Sequence, residues 1–139
     1  MSIKNIRPYF NERLKGLSYK EHRDAFNIDN IASSVLDKAY HVFVNPITVE
    51  STSSNGQELT ATVTLQLVYK GNRDMTSGLE RAEELSQQVL FSLMDLDRLN
   101  QTGIKNVLFE QMSFEPYATS NDNVIRCTMT FIVYYYLCY

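Results

Sequence analysis

The stretch Leu59-Thr-Ala-Thr-Val-Thr-Leu-Gln-Leu-Val-Tyr69 decides the fold class. Leu59, Ala61, Val63, Leu65, Leu67 and Tyr69 alternate with Thr60, Thr62, Thr64, Gln66, Val68 and Lys70. Successive side chains of a strand point to opposite faces, so a period of two buries one face and leaves the other mostly polar. Such a strand belongs to a sheet covered on one side.

Upstream, Tyr40 to Val49 is rich in Val, Phe, Ile and Tyr and reads as a strand. Pro46 pushes its second half towards an edge or a bend. Residues Glu50 to Gln57 form a loop by composition, with Asn55-Gly56 as the turn signal. The two strands make a long hairpin. Further back, Ile3, Ile6, Phe10, Leu14 and Leu17 recur at helical spacing and predict an amphipathic helix over 3–15. Pro8 fits its first turn, and Gly16 is the natural stop. Residues 17–38 read as a polar loop, with a short helical turn around Ile31, Val35 and Leu36.

Downstream, Ser77 and Glu80 form an S-x-x-E capping box, with Asp74 as the other candidate N-cap. Leu79, Ala82, Leu85, Val89, Leu93 and Leu96 follow at three- and four-residue steps and predict a helix over 77–95. Glu80, Glu83 and Glu84 would sit in its first turns, where the helix dipole favours negative charge. After a turn at 100–103, Ile104 to Phe114 reads as a third strand with Ile104, Leu108, Met112 and Phe114 on one side. A polar loop over 115–123 leads to a fourth strand, Val124 to Tyr139. The expectation is a single α+β domain over 1–139. Its mixed or antiparallel four-stranded sheet, two hairpins, is packed by one long amphipathic helix and a short N-terminal helix.

The composition bounds the function. With 44% hydrophobic and 21% charged residues the chain is globular rather than disordered. A net charge of −3 argues against simple wrapping of nucleic acid, which needs a basic footprint. The charged start holds no signal-peptide core, and no run reaches transmembrane length, so a soluble product made in the cytoplasm is expected, with no membrane partner. Cys127 and Cys138, eleven positions apart on one strand, are out of disulfide reach of each other and read as small buried hydrophobes.

No residue set reads as an active site. His22 and His41 lack partners at metal-ligand spacing, and His41 fits a surface or half-buried strand position. Asp95 and Asp97 suit a helix end better than acid–base work, and Asp37 and Asp74 stand apart. Gly71, Gly78 and Gly103 stand alone, so no phosphate loop is present. Arg7, Arg13, Lys15, Lys20 and Arg23 tilt the first quarter towards the basic, either as a solvated helix face or as contact with an acidic partner. Catalytic residues, cofactors and metals are therefore expected to be none.

The last strand departs from alternation. Phe131, Val133, Tyr135, Leu137 and Tyr139 point one way, and Ile132, Tyr134, Tyr136 and Cys138 the other. A strand apolar on both faces wants cover on both faces, and association with other chains supplies it. The candidate partner or subunit interface is Ser51, Thr52, Ser53, Ser54 and Asn55 at the hairpin tip, with Tyr134, Tyr136 and Tyr139.

In element order the chain resembles the tail terminator, or tail completion, proteins of long-tailed, lambda-like bacteriophages. The resemblance is carried by the N-terminal helix ending in Leu14-Lys-Gly-Leu17, by Leu36-Asp-Lys-Ala-Tyr-His-Val-Phe-Val44, by the long hairpin, by the capped helix, and by Thr128-Met-Thr-Phe-Ile-Val-Tyr-Tyr-Tyr136. It implies a structural virion protein without catalysis. Such a subunit forms a homo-oligomeric ring, a hexamer, that caps the tail tube protein and docks to the head–tail connector proteins. DNA would pass through the bore without specific binding, past carboxylates such as Glu50, Glu58, Asp95, Asp97, Glu110 or Glu115. A head-closure or connector protein of the neck is a close variant. A small cytoplasmic dimeric α+β enzyme is the alternative from another class.

Overall fold

A computed structural model describes residues 6–21, 37–53, 56–70, 75–95, 104–118 and 123–138. Helix α1 spans Ile6–Gly16 and is followed by the two-residue strand β1, Lys20–Glu21. Strands β2, Ala39–Ser53, and β3, Gly56–Lys70, form the first hairpin. Helix α2 spans Met75–Leu93, and strands β4, Ile104–Ala118, and β5, Asn123–Cys138, form the second hairpin.

The α+β class holds, but the sheet has five strands rather than four, in the order β1-β2-β3-β5-β4. The fifth is β1, which pairs parallel with β2 through Lys20↔Ala39 and Glu21↔Tyr40. A Lys-Glu pair is too short and too polar to carry a period-two signal. Its place is set by tertiary contact, with the Lys20 amide donating to the Lys38 carbonyl at 2.9 Å. A parallel pair needs a crossover of a dozen or more residues, and residues 22–38 connect the two strands. The loop expected over 17–38 is corrected to that extent. The turn around Ile31, Val35 and Leu36 lies outside the described residues.

All other pairs are antiparallel, and β3 and β5 pair without a break from Gly56↔Cys138 to Lys70↔Val124. The alternation of β3 is realised: Leu59, Ala61, Val63, Leu65, Leu67 and Tyr69 are buried, while Thr60, Thr62, Thr64 and Gln66 are half-buried. Val68 on the polar face is also buried, beside Ala39 and Val124 at that end of the sheet. Both helices lie on the odd-numbered face of β3 and β5. Phe10 of α1 meets Phe131 edge-on at 5.4 Å, and Phe131 meets Phe109 at 5.8 Å. Such aromatic contacts add about 0.5–1.5 kcal/mol each beyond burial.

Several boundaries move. Helix α1 stops at Gly16, but its closure occurs two residues later. Ser18 adopts φ 69°, its amide donates to the Lys15 carbonyl, and the Tyr19 amide donates to the Leu14 carbonyl. This pair of bonds is a Schellman motif, with Leu14 and Tyr19 both buried as its apolar contact. Helix α2 begins at Met75, so Ser77 lies inside the helix rather than at its cap, and no acidic residue falls in its first turn. Asp74, the other candidate cap, lies outside the described residues.

The buried centre of α2 runs Ala82, Ser86, Val89 and Leu93, with Leu79 and Leu85 on its flank. On β4 the side chains reaching the core are Ile104, Val107, Met112 and Phe114, whereas Leu108 is 41% exposed on the opposite face. Register shifts between Ile104 and Asn106 and between Phe109 and Gln111 reset the alternation, which is why the expected side for Leu108 is wrong. The loops expected at 50–57 and 115–123 are largely strand: β2 runs to Ser53, β3 starts at Gly56, and β4 runs to Ala118.

Candidate functional site

The candidate contact residues gather at one end of the sheet. Register across β2, β3 and β5 aligns Ser51 with Glu58 and Tyr136, Thr52 with Gln57 and Leu137, and Ser53 with Gly56 and Cys138. Tyr134 lies one row inward on the same face, opposite Thr60. The hairpin tip and the C-terminal tyrosines, far apart in sequence, are therefore neighbours. Ser54, Asn55 and Tyr139 lie outside the described residues.

The hairpin does not project alone. Strand β5 accompanies it to Cys138, whereas the pairing of β4 with β5 begins at Ile104↔Tyr135. The result is a three-stranded extension past the start of β4. A lone hairpin is marginal in water, and the third strand adds a second ladder of backbone pairing to the extension. Thr52 is exposed, and Tyr134 and Tyr136 are half-buried.

Lys105 at the start of β4 ties this end together. Its ammonium pairs with Glu58 and lies over the Tyr136 ring, 5.4 Å from the centroid. Both charged partners are about half exposed, so the pair orients side chains more than it stabilises the fold. Two register shifts in β2, between Val44 and Ile47 and between Val49 and Ser51, bend the hairpin before it reaches the tip. Pro46 falls within the first of them.

The remaining candidates have structural partners. The Arg7 guanidinium donates to the Val42 carbonyl at 2.8 Å. Arg13 is buried and donates to the Asp95 carbonyl at 3.1 Å, while the Tyr9 hydroxyl donates to the Leu93 carbonyl at 2.6 Å. Helix α2 has no basic residue in its last turn, and α1 supplies the cation and donors that its terminal carbonyls need. Lys15 and Lys20 are exposed, and Arg23 lies outside the described residues. A cleft of about 280 Å³ between the helices is lined by Glu12, Arg13, Gly16, Leu17, Ser92 and Asp95, but its arginine is engaged in this capping.

Asp37 accepts both arms of Arg81, at 3.0 and 2.8 Å, and the Lys70 amide at 3.1 Å. Burial raises the Asp37 carboxyl pKa, but the Arg81 and Lys70 hydrogen bonds outweigh it and leave the group below its ordinary value. Sequence spacing could not pair these residues, which lie 44 positions apart. His41 is buried rather than half-buried, with its ring 4.1 Å from Phe43. His22, Asp74 and Asp97 lie outside the described residues.

In the core, the Tyr19 and Tyr69 hydroxyls are 2.8 Å apart, and Ser86 donates to Tyr69 at 3.1 Å. Cys127 is buried, and burial pushes its thiol up to about 11 despite a hydrogen bond with Ser86. This network satisfies the polar atoms of a helix serine placed on the sheet. Among the described residues, no group of three or more His, Cys, Asp or Glu could hold a metal ion, and no helix is long and apolar enough to cross a membrane. No protein-family model matches the chain, and no curated protein matches it either.

Proposed function

We propose that the chain is a structural subunit of the neck of a long-tailed bacteriophage, a tail terminator that assembles as a closed ring. The ring, a hexamer, caps the completed tail tube and joins it to the head–tail connector. The observation that carries this reading is the three-stranded extension at one end of the sheet. It places the polar hairpin tip beside Tyr134, Tyr136 and the Lys105–Glu58 pair. A platform with the exposed Thr52, two half-buried tyrosine rings and one cation–carboxylate pair suits contact with another protein, since tyrosine supplies area at low entropic cost.

The ring reading also accounts for the overall charge. A passage for DNA that lacks a Lys/Arg lining leaves no strong, salt-dependent attachment to phosphate. Of the carboxylates proposed for that passage, Glu110 and Glu115 are exposed on β4, whereas Glu58 is paired with Lys105 and Asp95 lies 3.9 Å from Arg13. Glu110 and Glu115 are therefore the better candidates.

Light scattering and negative-stain microscopy of the purified protein test the proposal. A ring-sized mass with an open centre, and DNA binding that stays weak at low salt, are the expected results. A stable monomer, or tight DNA binding that weakens steeply with salt, overturns it. Within the particle, replacing residues 51–55 by a short Asn-Gly turn should leave the subunit folded and impair tail joining. Full infectivity of such particles removes the role assigned to the tip.

A further inference from the structure

Among the described residues, the sheet ends on two long strands that have no further long neighbour. Strand β4 bounds one side, and past the two-residue β1 strand β2 bounds the other. A terminal strand turns half of its backbone N–H and C=O groups outward, and these are a template for pairing with another chain. The hazard is concrete on β4. Leu108 and Phe109 are 41% and 37% exposed, and as consecutive residues they stand on opposite faces of the sheet. A strand added beside β4 would cover part of both.

Chain direction decides which groups face outward. Residues on one face of a strand turn their backbone groups to the same side, and the residues between them turn to the other. Strands β3 and β4 run parallel, each being antiparallel to β5, and α2 connects them across the covered face. The right-handed sense of such connections turns the core-facing residues of β4 outward, Val107 and Pro116 among them. On β2 the core-facing Val42 faces the other outer edge by the same rule.

Side chains already occupy these groups on both edges. The Val107 amide donates to Asn106 Oδ1 at 2.9 Å. The Val42 carbonyl accepts from the Arg7 guanidinium at 2.8 Å. One group is taken by a side chain of the edge strand itself, the other by a side chain reaching over from α1. Backbone irregularities continue the block. Strand β4 shifts register between Phe109 and Gln111, and Pro116 has no N–H to offer. Strand β2 shifts register between Val44 and Ile47, around Pro46.

We propose that Asn106 and Arg7 are edge guards. They fill backbone groups that an incoming strand needs, so copies of the chain do not join sheet to sheet. Edge pairing that does not close on itself propagates into fibres, and guarded edges leave association to other surfaces. Edge guards serve a monomer as well as a ring, so their test is separate from that of the ring.

Two measurements on the full chain test the proposal. Hydrogen exchange by NMR reads the bond itself. The Val107 amide should be protected in the wild type and exchange about tenfold faster in Asn106→Ala. Thioflavin T fluorescence with electron microscopy reads the consequence. Under native conditions Asn106→Ala and Arg7→Ala should form fibres after a lag about tenfold shorter than that of the wild type, and the double variant sooner still. Ser113→Ala, at an exposed position of β4 whose backbone faces β5, controls for added apolarity. Lys15→Ala, on the exposed side of α1, controls for a lost charge. Both controls should behave as the wild type. Controls that form fibres as fast as the guard variants overturn the proposal, and so does a double variant that stays as free of fibres as the wild type. Should a guard variant fail to fold, the wild type alone decides. A Val107 amide exchanging at the rate of a free peptide overturns the guard on β4, and a protected one supports it.

Discussion

Ser18 closes the first helix in a conformation that L-residues avoid, with φ 69°. A left-handed residue costs roughly 1–2 kcal/mol unless it is glycine, whose own unfolded-state entropy takes part of that back. Ser18→Gly should therefore raise stability by about 0.5–1 kcal/mol, read as the urea midpoint at constant slope. A loss of stability would show that the serine side chain matters to the cap. Asp37 offers a pH test at the same scale. Its folded carboxyl lies below the ordinary value, so its contribution is fully present above about pH 4 and fades as the pH falls through the lower folded value. Asp37→Asn should destabilise at neutral pH and match the wild type near pH 2. Equal midpoints at both pH values would mean that the Arg81 clamp contributes nothing, as many half-exposed pairs do.

Helix α2 is held by the row Ala82, Ser86, Val89 and Leu93, all without exposed surface. Leu93→Ala removes a buried side chain beside the Tyr9 contact and should cost about 2–5 kcal/mol. Gln88→Ala, on the exposed side, should stay within about 0.5 kcal/mol of wild type. Thermal or urea unfolding of the two variants checks the assignment, and comparable losses would put the wrong face on the sheet. The half-buried Leu85 should fall between them. Arg13 and Tyr9 show what completes the end of α2: donors for its last carbonyls come from α1.

The molecule as a whole should be fragile to alkali. Burial raises the pKa of the Tyr9, Tyr19, Tyr69 and Tyr135 hydroxyls above the ordinary value, and with the charge of Glu21 it pushes Tyr40 up to about 12. Cys127 moves the same way. The fold thus favours the protonated forms. That stability is complete below the unfolded tyrosine value near pH 10 and is lost as the pH rises through the folded values. Tyrosinate absorbance and far-ultraviolet circular dichroism should change together in one steep transition above about pH 10. A smooth titration of every tyrosine near its free value, with the sheet intact, would contradict this packing.

Periodicity by itself determined the class, the two hairpins, the long helix and the covered face of β3, because Leu59 to Leu67 alternate without a fault and Leu79 to Leu93 repeat at helical steps. It also marked the last strand as apolar on both faces, and Phe131 and Val133 are buried while Ile132 and Tyr134 stay half-covered. Tertiary structure decided the rest. Strand β1 exists because Lys20 and Glu21 find β2, not because Lys-Glu favours extension. Leu108 faces away from the core because two register shifts in β4 reset the alternation, and such a shift leaves no mark in residue type. Helix α2 starts at Met75 although Ser77 and Glu80 carry a capping pattern, since a local motif is a weak guide to where a helix begins. The candidate surface was legible only in pieces. The hairpin tip and the C-terminal tyrosines are separate features along the chain, and the unbroken pairing of β3 with β5 makes them one surface.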